Sequence, residues 1–115
     1  MTQQPGSLDL RMYQGATWQY ELTWLEDDVP VDLTSYTARL QVREFVNSDS
    51  TILDIDTDSE IVLGGAAGTI TMTVAASVTT NIEPGFFVYD LEMITGATVT
   101  RLIQGAFIVT PEITR

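Results

Sequence analysis

The segment TITMTV, residues 69–74, puts Ile70, Met72 and Val74 at every second position with a threonine before each. A period of two is the repeat of an extended chain, whose successive side chains point to opposite faces. Such a segment buries one face and wets the other, and its β-branched residues pack well on a pleated surface. The same period runs through TWQYELTW (17–24), where Trp18, Tyr20, Leu22 and Trp24 alternate with polar residues. It returns at Ala38, Leu40 and Val42, at Leu53 and Ile55, and at Phe87, Tyr89, Leu91 and Met93. A last long strand is expected from about Thr98 to Thr110, with Gly105 as a bulge or close-approach point and Pro111 as its end. No long stretch carries the helical period.

Turn signals separate these runs: LEDDVP with Asp27-Asp28 before Pro30, the hairpin turn GGAAG at 64–68, Pro84-Gly85, and Thr95-Gly96-Ala97. Ser77–Thr80 is short enough for one helical turn, with Ser77 as its cap. The expected architecture is an all-β antiparallel sandwich of about seven or eight strands. A chain of 115 residues suits a single core. Residues 8–115 form that domain in this reading, and residues 1–7, MTQQPGS, form a flexible or partner-bound arm.

The chain has no Cys and no His. That removes the thiolate nucleophile, the commonest general base and the commonest zinc ligands. Hydroxyls are plentiful, but with no Lys among the five basic residues none has an amine to activate it. No catalytic residue and no cofactor site is expected, and the chain is read as non-enzymatic. Sixteen acidic residues against five arginines give a net charge of -11. That surface repels phosphate backbones and anionic headgroups, so neither nucleic acid nor a membrane is an expected partner. No run of about 20 apolar residues spans a bilayer, and the first residues lack a basic region followed by an apolar stretch, so synthesis in a cytoplasm is expected.

DIDTDSE, residues 54–60, places Asp54, Asp56, Asp58 and Glu60 at alternate positions. A calcium loop starting at Asp54 needs Gly at its sixth position and Glu at its twelfth, where Ser59 and Gly65 stand. On a strand, alternate carboxylates lie about 6.5–7 Å apart, too far to share one ion. The stretch therefore reads as the wet face of an edge strand whose charges deter aggregation, with Arg39, Arg43 and Arg101 available to pair with it. Asp58 and Glu60, where the strand ends, are the one candidate cation site.

The aromatic residues fall mainly on inward faces, Tyr13, Trp18, Tyr20, Trp24, Tyr36, Tyr89 and Phe107 among them. Phe86 and Phe45 are out of phase with their core neighbours. They are candidate partner contacts, together with the polar arm residues Thr2, Gln3 and Gln4.

In this order, GATWQYELTW, VPVDLTSYTARLQVRE, LGGAAGTITMTV, IEPGFFVYDLEM and TRLIQGAFIVTPEIT make the chain similar to a known family over residues 8–115. It resembles small immunoglobulin-like β-sandwich proteins encoded among the structural genes of tailed bacteriophages and prophages. Related domains begin subunits of baseplates and receptor-binding complexes. Family members often carry Gly where Ser35 stands and a Gly-containing turn where Asp27-Asp28 stands. The resemblance implies an immunoglobulin-like fold and a virion structural or adaptor protein at the tail, baseplate or fibre attachment point. It would be made in a bacterial host and contact other virion proteins and copies of itself. A carbohydrate-binding adsorption module and a capsid decoration protein are the alternatives. Tyr89, soon after a Pro-Gly turn, is similar to the corner tyrosine of such sandwiches, whose hydroxyl ties back to nearby backbone.

Overall fold

The computed structural model describes residues 6–114. Its larger sheet contains β1 (Gly6–Ser7), β2 (Leu10–Tyr13), β6 (Thr37–Arg43), β7 (Leu53–Asp56), β10 (Gly85–Thr95) and β11 (Thr98–Thr110). Its smaller sheet contains β3 (Trp18–Thr23), β8 (Ile61–Leu63) and β9 (Thr69–Val74). A two-strand ribbon, β4 (Leu25–Glu26) and β5 (Val29–Pro30), extends beyond β3. The large sheet runs β11-β10-β6-β7, with β1 and β2 both parallel to β11, and the small sheet runs β3-β9-β8. From β1 on, the described chain runs on the large sheet, crosses to the small one at β3, returns for β6 and β7, crosses again for β8 and β9, and comes back to the large sheet for β10 and β11. This is the two-sheet connectivity of the immunoglobulin-like sandwich, and the fold is of that class.

The alternation determines which face is buried. Leu40, Val42, Ile55, Leu91 and Met93 of the large sheet face Ile61, Ile70, Met72 and Val74 of the small one, and all are essentially inaccessible. Trp18 lies edge-on against Phe107 with ring centroids 5.5 Å apart, and Tyr89 meets the same ring at 6.1 Å. The motif DLTSY closes one end. The Asp32 carboxylate accepts the Thr34 backbone N–H at 3.0 Å, Leu33 is buried, and Tyr36 packs edge-on against Trp24.

Several expectations change. Among the described residues pairing is already present at Gly6, two residues before the expected domain start, because Gly6 and Ser7 align with Ile103 and Gln104. Thr2, Gln3 and Gln4 lie outside the described residues. The bulge of the last strand falls at Leu102, where the register slips between Leu91 and Glu92, so that Leu102 and Ile103 are buried in succession. Gly105 is the close approach. A Cβ there would sit 2.3 Å from the Leu8 carbonyl oxygen. The helical turn α1 (Ala76–Thr79) has Ala75 as its cap, with no side-chain cap bond from Ser77. Thr79 holds that turn instead. Fully buried, its hydroxyl donates to the Ala16 carbonyl at 2.8 Å and accepts the Gly15 N–H at 3.1 Å. The Tyr89 hydroxyl donates to the Leu8 carbonyl at 2.6 Å, a partner at the far end of the chain rather than a corner a few residues upstream. In the β4–β5 turn both Asp27 and Asp28 are left-handed, with φ of 51° and 64°. That is the backbone a tight two-residue hairpin turn requires, and Asp tolerates it better than most side chains.

Candidate docking surface

The acidic stretch resolves into a strand and a turn. Asp54 and Asp56 point outward from β7, but alternation stops there, because Thr57–Glu60 turns towards β8. Asp56 closes that turn by accepting the Asp58 N–H at 2.9 Å. The Ser59 hydroxyl engages Glu60. Asp58 and Glu60 therefore sit at a turn, and among the described residues no group of three or more carboxylates converges on a common point.

Asp54 has a different role. Arg39, diagonal to it on β6, donates from Nε to Oδ1 at 3.3 Å and from Nη2 to Oδ2 at 3.0 Å, and Gln41 adds a third bond at 3.1 Å. The hydrogen bond and charge of Arg39 hold the Asp54 carboxyl below its ordinary value, and the same contact raises the guanidinium. Of the other two arginines expected to pair with this stretch, Arg101 pairs with Asp90 of β10 at 3.2 Å. Arg43 donates to the Ser48 carbonyl and to Gln41, and among the described residues no carboxylate is in salt-bridge reach of it.

Register places all these groups on one surface, the outer face of the large sheet. Across it, Glu92 lies between Arg101 and Arg39, and Asp90 lies between Gln104 and Gln41. Val88 lies between Ala106 and Arg43, and Ile108 lies between Arg11 and Phe86. Four of the five arginines are here, and the fifth, Arg115, lies outside the described residues. Against them stand Asp54, Asp56, Asp90 and Glu92, so the face is close to neutral.

The same face is apolar at one end. Phe86 is 79 % exposed and Tyr13 is 56 % exposed. Between them lie half-buried Ile108 and exposed Arg11, whose guanidinium donates to the Thr110 hydroxyl at 3.4 Å. Phe45 and Val46, in the loop after β6, are also exposed. Val46 forms one wall of an open depression of about 500 Å³ floored by Arg43, Val88, Asp90 and Arg101. Phe45 lies two residues past Arg43 and Phe86 two residues before its partner Val88, so both fall at the same end of the sheet. Tyr13 was expected inside. It points outward because LRMY is itself a period-two strand, with Leu10 and Met12 buried and Arg11 and Tyr13 exposed. That alternation was the available signal for the face.

Trp18, Trp24 and Tyr89, the aromatics that a sugar-stacking platform would need, are all buried. No helix among the described residues is long and apolar enough to cross a membrane.

No protein-family model matches the chain, and no curated protein matches it. Among solved structures it is similar to the extracellular domain of the voltage-gated sodium channel beta4 subunit, described as forming parallel homodimers that explain its role in cell-cell adhesion. Identity is 10%, 98% of each chain is covered, and the TM-score is 0.48. A likeness this distant carries no conclusion about function or partners.

Proposed function

We propose that this protein is a non-enzymatic structural or adaptor component of a tailed-phage virion, at the tail, baseplate or fibre attachment point, and that it docks onto a neighbouring virion protein through the outer face of its large sheet. The observation that carries the reading is Phe86, a large aromatic 79 % exposed on a near-neutral, arginine-bearing face of a chain with net charge -11. Exposed aromatic residues beside arginine are the side chains enriched at the centres of protein interfaces. The resemblance of its strand segments to phage sandwich proteins supports the location. Burial of Trp18, Trp24 and Tyr89 counts against the carbohydrate-binding alternative.

Mass spectrometry of purified particles from the encoding phage is the first test. The polypeptide is expected at a fixed copy number, and its absence would sink the reading. Phe86→Arg is expected to abolish incorporation without changing the melting temperature. Val62→Arg, at a 65 % exposed position on the small sheet, is expected to leave incorporation intact.

A further inference from the structure

The small sheet ends at β3, which pairs with β9 and with no other strand among the described residues. The Trp24 N–H donates to the Gly68 carbonyl at 2.8 Å, which sets the phase of the ladder. Even-numbered residues turn their backbone groups toward β9, and Gln19, Glu21 and Thr23 turn theirs away. No backbone bond within the described chain reaches those outward groups. The inward side chains show the same opening. Tyr20 and Leu22 of β3 are only partly buried, whereas their cross-strand partners Met72 and Ile70 are completely buried.

We infer that this edge is completed by β3 of a second copy, paired antiparallel about a two-fold axis to join two small sheets into one. The sequence is self-complementary in one register. With Tyr20 opposite Tyr20 of the second copy, Gln19 falls opposite Glu21 in both halves, and Trp18 falls opposite Leu22 on the inward side. The outward backbone groups of Gln19 and Glu21 then meet directly, in about four hydrogen bonds. The neighbouring register, with Glu21 opposite Glu21, is disfavoured by like charge. The other edges fit less well. β7 carries Asp54 and Asp56, β8 has three residues, and the β1–β2 edge is interrupted at Leu8 and Asp9. Each copy carries a charge of -11, so salt strengthens the association by screening their repulsion.

This contact is separate from the particle reading and is measured on the isolated protein by sedimentation velocity over a concentration series at low and high salt. A monomer–dimer equilibrium that salt favours is expected. Glu21→Pro removes an outward N–H that β9 does not use. It is expected to weaken dimerisation by about tenfold or more while circular dichroism of the monomer is unchanged. Gln19→Glu sets Glu against Glu twice and weakens the dimer, whereas Gln19→Arg sets Arg against Glu twice and tightens it. Deleting residues 1–5 leaves the dimer unchanged. A wild-type protein that stays monomeric up to millimolar concentration, a dimer indifferent to both Glu21→Pro and Gln19→Glu, or one abolished by the deletion would each overturn the inference.

Discussion

The large sheet ends at β7 in four residues, and the small sheet ends at β3 in six. On β7 the outward side chains are Asp54 and Asp56, and Arg39 and Gln41 from the neighbouring strand hold Asp54 in place. On β3 the outward side chains are Gln19, Glu21 and Thr23, and the Thr71 hydroxyl donates to the one charge at 2.9 Å. One edge is short and charged, and the other is long and nearly neutral. An unpaired edge is a template for another strand, and natural sheets block it with charge, brevity, Pro or bulges. Only one of these two edges is blocked, so Asp54 and Asp56, the first two carboxylates of DIDTDSE, are better understood as the guard of β7.

Stripping that guard is the strongest way to break the contrast. Asp54→Thr with Asp56→Thr keeps strand-forming residues but leaves β7 as bare as β3. The double variant is expected to aggregate on gentle warming, read by light scattering, under conditions where wild type stays clear. Asp58→Thr with Glu60→Thr, in the turn beyond the strand, is expected to leave solubility unchanged. Equal solubility of wild type and the Asp54/Asp56 variant would show that brevity alone protects β7.

A third edge is covered by the chain itself. β1 and β2 lie along β11, and the link between them passes over Gly105 so closely that a Cβ would meet the Leu8 carbonyl oxygen at 2.3 Å. Gly105→Ala is expected to push this link away and lower unfolding stability by about 1–3 kcal/mol in urea titrations. Loss of the contact also uncovers β11, so hydrogen exchange in β1 and β2 should speed more than in β9. A smaller step in the same direction is Tyr89→Phe, which leaves the Leu8 carbonyl without its 2.6 Å donor and costs about 1 kcal/mol. Burial first, then the nearby Tyr20 and Asp9, push the Tyr89 phenol well above its ordinary value. Alkaline absorbance titration of folded wild type is therefore expected to match that of Tyr89→Phe, whereas a freely ionising Tyr89 would add one tyrosine to the wild-type curve.

Local alternation carried most of the fold. TITMTV, TWQYELTW and the run through Phe87 and Met93 became β9, β3 and β10 with the expected faces inward, because a side chain's face on a strand depends only on its parity. Parity failed where a long-range contact resets it. The bulge at Leu102 is visible only once β10 lies alongside, and the Ser77 cap lost to Thr79 because the turn is held by the β2–β3 link. The exposure of Phe86 and Phe45 could be read from phase, whereas the gathering of four arginines on one face could not. Arg11, Arg39, Arg43 and Arg101 come from three strands far apart in sequence, and only the pairing order brings them together.

The smallest effect separates the charge guard from its ion pair. Arg39 holds the folded Asp54 carboxyl below its ordinary value, which is about 3.9 in an unfolded chain. A depressed folded value means that the contribution is complete above about pH 4 and is lost as pH falls through the folded value. The two side chains are 50 % and 36 % exposed, so solvent screens the pair and its contribution is small. Asp54→Asn is therefore expected to lower the melting temperature slightly at neutral pH and to match wild type once the pH has fallen below the depressed folded value. Acidification also discharges the Asp54 carboxyl, and wild type should then begin to scatter light as the Asp54/Asp56 double variant does at pH 7. If stability converges at low pH but scattering does not appear, the carboxylates hold the strand in place without guarding it, because pairing and repulsion titrate on the same groups and only the second controls access to the edge.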